Sequence, residues 1–146
     1  MRMRLASRCL LGCAALLLIA GGTYHTWMYG KKAAAMIDAS NLGAMNAAVF
    51  KGLWLSDGAV VTVIGLAYLT LAWQPKLGTR TLLAFLAALP LASAATIYAT
   101  AGNFPPAHLL LLSGLMAIAA ALLPPGWGED EERARGLGAE TLPRLP

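Results

Sequence analysis

Residues 81–100 read TLLAFLAALPLASAATIYAT, twenty residues without a charge, entered from Arg80. Crossing the hydrocarbon core of a bilayer as a helix takes about 20 mostly apolar residues. This stretch therefore predicts a membrane span, and its neighbours repeat the pattern. Upstream lies LWLSDGAVVTVIGLAYLTLAW, residues 53–73, closed by Gln74-Pro75-Lys76. Downstream, AHLLLLSGLMAIAAALL (107–123) is opened by Pro105-Pro106 and stopped by Pro124-Pro125. The first span is CLLGCAALLLIAGGTYHTWM, residues 9–28, behind Arg2, Arg4 and Arg8. Four helices joined by short links predict an all-α fold, an integral membrane four-helix bundle with antiparallel neighbours.

Composition excludes the main alternatives. Hydrophobic residues make up 58% of the 146-residue chain and charged residues 12%, with a mean hydropathy of +0.64. Soluble domains carry about twice that charge. A cytosolic enzyme, a nucleic-acid-binding module and a disordered protein are therefore set aside. The net charge of +4 is unevenly distributed. The segment from Gly126 onward has five acidic residues against three arginines, and reads as a flexible charged cytoplasmic tail, 126–146, after a membrane domain, 1–125. The remaining basic residues flank apolar stretches, as membrane orientation signals do.

With the N-terminus inside, the inner side holds Arg2, Arg4, Arg8, Lys76, Arg80, Arg133, Arg135 and Arg144, and the outer side only Lys31, Lys32 and Lys51. The excess of inner basic residues predicts both termini in the cytoplasm. Tyr24, Trp27, Tyr29, Trp54 and Tyr98 then fall at the outer interface, and Trp73 and Trp127 at the inner one.

The first span also has the outline of a signal peptide. Its Leu10-Leu11-Gly12-Cys13 box precedes most of the apolar run, where a cleavage box follows it, so the reading keeps this segment as a span. Cys9 and Cys13, one turn apart on the inner half, read as small packing residues without a disulfide. Residues 30–52 form the longest connection. Asp38, Ser40, Asn41 and Gly43 mark a break there, with a new helix after it. The middle of the connection, AAAMIDASNLGAMNAAVF (33–50), is expected to rest on the membrane surface or to extend the second span outward, with a lid over the outer mouth as the functional alternative. Met36 and Met45 in this connection are read as packing residues before copper ligands.

Helices in lipid associate through close backbone approach, so small residues mark interfaces. Ala84, Ala88, Ala92, Thr96 and Thr100 recur every four residues on the third span, and Ser113, Ala117 and Ala121 on the fourth. These two ridges are expected to face each other. Pro90 removes a helical hydrogen bond and predicts a kink in the third span.

Few residues carry chemistry. His25 ends the first span, Asp57 lies a turn inside the second, and His108 opens the fourth, so the expected topology places all three in one outer layer. An ionisable group within a span is costly and typically faces the bundle interior or a watery cavity, which singles out Asp57. Two histidines and a carboxylate suit a metal, two histidines a haem, and a His–Asp pair proton movement or a quinone headgroup. The plainer reading has each as an interfacial polar group, with Asp57 paired to Lys51 or capping a shorter span through Ser56-Asp57. No HExxH, GxSxG, phosphate-binding loop, acidic metal cluster or internal repeat occurs. The first span lacks an acidic residue, unlike small four-helix multidrug exporters, whose coupling glutamate lies there.

With His25 ending the first span and Lys51-Gly52-Leu53-Trp54 opening the second, the layout resembles a group of uncharacterised small four-helix bacterial inner-membrane proteins. The group often has a second His after that Trp, where this chain has Leu55, followed by Asp57. The resemblance covers the first half and implies topology rather than an activity. The leading expectation is a non-enzymatic accessory or assembly subunit that contacts the bilayer and another membrane protein or a second copy. The competing one is a ligand site at His25, Asp57 and His108 for haem, metal or quinone.

Overall fold

A computed structural model describes residues 5–123, which are helical apart from short connections. Arg2, Arg4, Trp127 and the 126–146 tail, on which part of the orientation reading rests, lie outside the described residues. Helix α1 (Leu5–Met28) runs through a π-helical turn, Tyr29–Ala33, into α2 (Ala34–Asp38), so that one apolar helical run extends from Leu5 to Asp38. The chain reverses over residues 39–43 and returns as α3 (Ala44–Trp73). A 3₁₀ turn, Pro75–Leu77, leads to α4 (Arg80–Ala101), and a tight bend leads to α5 (Pro105–Leu122). By length and composition, four helices are able to cross a membrane.

Local chemistry explains the ends. Gly43 is extended (φ −59°, ψ 154°) and begins α3 without a side-chain cap. Gln74 closes α3 with its N–H on the Thr70 carbonyl, 2.7 Å away, and Pro75 prevents continuation. Thr79 caps α4, its hydroxyl accepting from Leu82 N at 3.1 Å. Gly102 (φ 69°) ends α4 in a conformation that L side chains rarely adopt, and Pro105 and Pro106 occupy the first turn of α5, where a missing N–H costs nothing.

The backbone packing order is α3, α1, α5, α4. Although consecutive in the chain, α3 and α4 scarcely approach each other, so the expected pairing of sequence neighbours holds for α1/α3 and α4/α5 only. All four helices nevertheless share one core. Tyr68 and Leu71 of α3 and Leu83 of α4 belong to one buried core with Leu11, Ala14, Ala15 and Leu18 of α1 and Ala117, Ala120 and Ala121 of α5. The Arg8 guanidinium on α1 donates to the Ala72 carbonyl at 2.8 Å, satisfying an acceptor in the last turn of α3.

The facing of α4 differs from expectation. Ala84, Ala88, Ala92, Thr96 and Thr100 are all exposed, and the buried face is Leu83, Ala87, Pro90 and Ala94. On α5, Ser113, Ala117 and Ala121 are buried. Gly114 selects the register. A Cβ there would lie 2.6 Å from Leu91 Cγ and 3.4 Å from the Ala87 carbonyl, so α4 closes on the bare backbone of α5 through Ala87 and Leu91. Cys9 and Cys13 are free but exposed on the outside of α1 instead of packed between helices.

The helices differ in length. At 1.5 Å per residue, the Leu5–Asp38 run is about 50 Å long and α3 about 45 Å, against about 33 Å for α4 and about 27 Å for α5. Since α3 and α4 are joined by a short turn, the excess lies at the other end. The hairpin of residues 29–51 therefore projects past α4 and α5. It continues the first two long helices, as the expected outward extension of the second span does. Its tip is fastened by Lys51 Nζ to Asp38 Oδ1 at 2.5 Å and by Ser40 Oγ to the Ile37 carbonyl, also at 2.5 Å.

Candidate functional site

The site begins with four glycine and threonine residues where α1 crosses α3. Gly22 and Thr26 on α1, and Gly58 and Thr62 on α3, share one spacing and meet reciprocally. Thr26 Oγ1 donates to the Gly22 carbonyl at 3.0 Å, and Thr62 Oγ1 to the Gly58 carbonyl at 2.8 Å. A Cβ on Gly22 would lie 2.3 Å from Thr62 Oγ1, and one on Gly58 would lie 2.6 Å from Thr26 Oγ1. Each helix thus presents bare backbone to the other's threonine, the close approach by which membrane helices gain packing energy. Two turns deeper, Gly65 presents bare backbone to α1 again, a Cβ there lying 3.0 Å from the Ala15 carbonyl.

This crossing brings His25 onto α3. A Cβ on Gly58 would sit 3.3 Å from His25 Cδ2, so the glycine leaves room for the imidazole. The ring stacks on Trp54 with centroids 4.6 Å apart and planes 13° from parallel. Trp54 Nε1 donates to the His25 carbonyl at 3.2 Å, which ties the stack to backbone. His25 Nε2 is buried without a hydrogen-bond partner among the described residues and faces Asp57 Oδ2 at 3.7 Å, just beyond hydrogen-bonding reach. Asp57 lies inside α3, which begins at Ala44, so it does not cap a shorter span. Nor does it pair with Lys51, whose ammonium is taken by Asp38. Its side chain is 57% exposed, while that of His25 is 31% exposed.

Trp54 also lines a half-open groove of about 250 Å³ with Ala33, Met36, Ile37, Ser40, Leu42 and Phe50. Ser40 is its one hydroxyl-bearing residue, and no charged side chain borders it. The volume falls just below the usual range for drug-sized ligands, and suits a single ring or short apolar chain.

His108 lies elsewhere. It is exposed at the start of α5, where its Nδ1 shares a hydrogen bond with the Tyr98 hydroxyl of α4. The three residues that the sequence groups together are thus divided, His25 facing Asp57 between α1 and α3 and His108 bonded to Tyr98 between α4 and α5. Among the described residues, no three His, Cys, Asp or Glu side chains form a group able to hold a metal ion. Sequence reasoning placed His25 and Asp57 at similar depth but missed that Trp54 is the partner of His25. It also missed the glycine crossing, although Gly22-x-x-x-Thr26 and Gly58-x-x-x-Thr62 are visible as a repeated spacing.

Comparison with known proteins finds no matching family model, no similar curated protein and no similar solved structure.

Proposed function

We propose that this chain is a multi-pass inner-membrane protein with both termini in the cytoplasm, working as an accessory or assembly subunit through helix packing. The orientation rests on eight inner against three outer Lys and Arg residues. One observation carries the assembly role. Among the described residues, the ridge Ala84, Ala88, Ala92, Thr96, Thr100 is unused and faces outward. A continuous row of small residues on an outer helix face lets another helix approach closely, whereas lipid gains nothing from it. The partner is another membrane protein or a second copy.

The test is replacement of Ala88 or Ala92 by Leu, followed by crosslinking and native gel mobility of protein extracted from its own membranes. Because these positions are outside the core, the variants should unfold at the parental temperature yet lose the higher-mass assembly. Leu variants that assemble like the parent refute the proposal.

A second reading is favoured by the His25 Nε2 atom, buried and unpartnered beside the Asp57 carboxylate, with an apolar groove lined in part by Trp54, the residue stacked on His25. In this reading the site binds a small ring with a polar edge, such as a quinone headgroup. Native mass spectrometry of the mildly extracted protein tests it. A reproducible extra mass that disappears in His25→Ala or Asp57→Asn supports it, and a consistently bare chain refutes it.

A further inference from the structure

Among the described residues, Tyr68 is the largest side chain fully closed off from the surface, and its hydroxyl meets no hydrogen-bond partner. Burying a hydroxyl unpaired is costly, more so between apolar helices with no bulk water at hand. A complementary orphan lies on α4. Pro90 is fully buried within that helix and has no N–H, which deprives the Leu86 carbonyl of its helical donor. The two groups lie at one depth. Tyr68 is five residues from the end of α3 at Trp73, and Leu86 six residues from the start of α4 at Arg80, and those ends are joined by the short 3₁₀ turn. Tyr68 belongs to the core cluster against which Leu86 packs.

We propose that the Tyr68 hydroxyl and the Leu86 carbonyl together hold one internal water molecule between α3 and α4. The water accepts from the tyrosine and donates to the carbonyl, satisfying both groups, as buried waters do for polar atoms that the protein leaves unpaired. It links the two consecutive helices whose backbones scarcely approach, and so closes the remaining side of the bundle. The same bond fixes α4 at the point where Pro90 weakens it.

The experiment is a double-mutant cycle on the full chain in detergent, read as the thermal unfolding midpoint. Tyr68→Phe should lower the midpoint by several degrees in the parent. In Pro90→Ala, residue 90 regains its N–H and the Leu86 carbonyl is satisfied by the helix, so Tyr68→Phe should have no effect or raise the midpoint. An equal drop in both backgrounds, or no drop in the parent, overturns the proposal. Should Pro90→Ala fail to fold, a structure of the parent that resolves other buried waters decides. Density within hydrogen-bonding distance of both Tyr68 Oη and Leu86 O supports the site, and its lack there refutes it.

Discussion

Two adjacent glycines on α1 should respond oppositely to the same substitution. Gly21 has nothing within 4 Å of where a Cβ would stand. For Gly22 the added carbon would lie 2.3 Å from Thr62 Oγ1, 2.7 Å from the Gly58 carbonyl and 3.0 Å from Thr62 N. Alanine is favoured over glycine in a helix by roughly 0.8–1 kcal/mol. Gly21→Ala should therefore stabilise by up to about that amount. At Gly22 the same gain is opposed by overpacking, typically about 1–3 kcal/mol. Two of the three atoms met are backbone of α3, so relief requires the helices to move apart, which also loosens the His25–Trp54 stack. The difference between the two variants, about 1–3 kcal/mol, isolates the contact from the propensity. Denaturant unfolding in a mild detergent, followed by tryptophan fluorescence, measures it. Adding Thr62→Ala to Gly22→Ala should restore part of the loss, because it removes the nearest atom but leaves the Gly58 carbonyl. Equal stabilities of Gly21→Ala and Gly22→Ala would show that α1 and α3 do not cross at this point.

Two other positions test the ends of α4. Gly102→Ala should destabilise by about 1–3 kcal/mol through backbone strain at positive φ, since its Cβ would stand in open space; faster proteolysis or hydrogen exchange at residues 102–104 checks it, and parental rates refute it. Thr79→Ala should cost about 1 kcal/mol by removing the hydroxyl that accepts from Leu82 N, and Thr79→Ser should cost far less; thermal unfolding that fails to separate the two removes the cap from the account.

Four apolar helices and the break around residues 39–43 were legible in the sequence because both depend on local properties. Twenty consecutive apolar residues exclude water from a helix wherever it packs, and Asp, Ser, Asn and Gly in succession interrupt a helix by their own backbone preferences. The ends marked by Pro75 and Pro105 are legible for the same reason. Which face of each helix turns inward was not. Ala84, Ala88 and Ala92 look as suitable for an interface as Leu83, Ala87 and Ala94, because periodicity identifies a ridge without identifying its partner. Hydropathy gives little help in an apolar chain, where inward and outward faces are equally hydrophobic.

The candidate site was half visible. That His25 and Asp57 lie near one depth follows from counting residues along two spans. That they are 3.7 Å apart, with Trp54 stacked on the imidazole, depends on the rotation of α1 against α3. The sequence by itself determined the four apolar helices and the residues able to bear charge, since these follow from the composition of each segment. It did not determine where the first helix ends and the second begins, expected near residues 28 and 53 and found at Asp38 and Ala44. Only the tertiary structure decided that His108 pairs with Tyr98 and not with His25, that Lys51 takes Asp38 and not Asp57, and that the α4 ridge faces outward. Those outcomes are set by where bare glycine backbone at Gly22, Gly58, Gly65 and Gly114 lets one helix settle on another, and that fit exists only between two helices together.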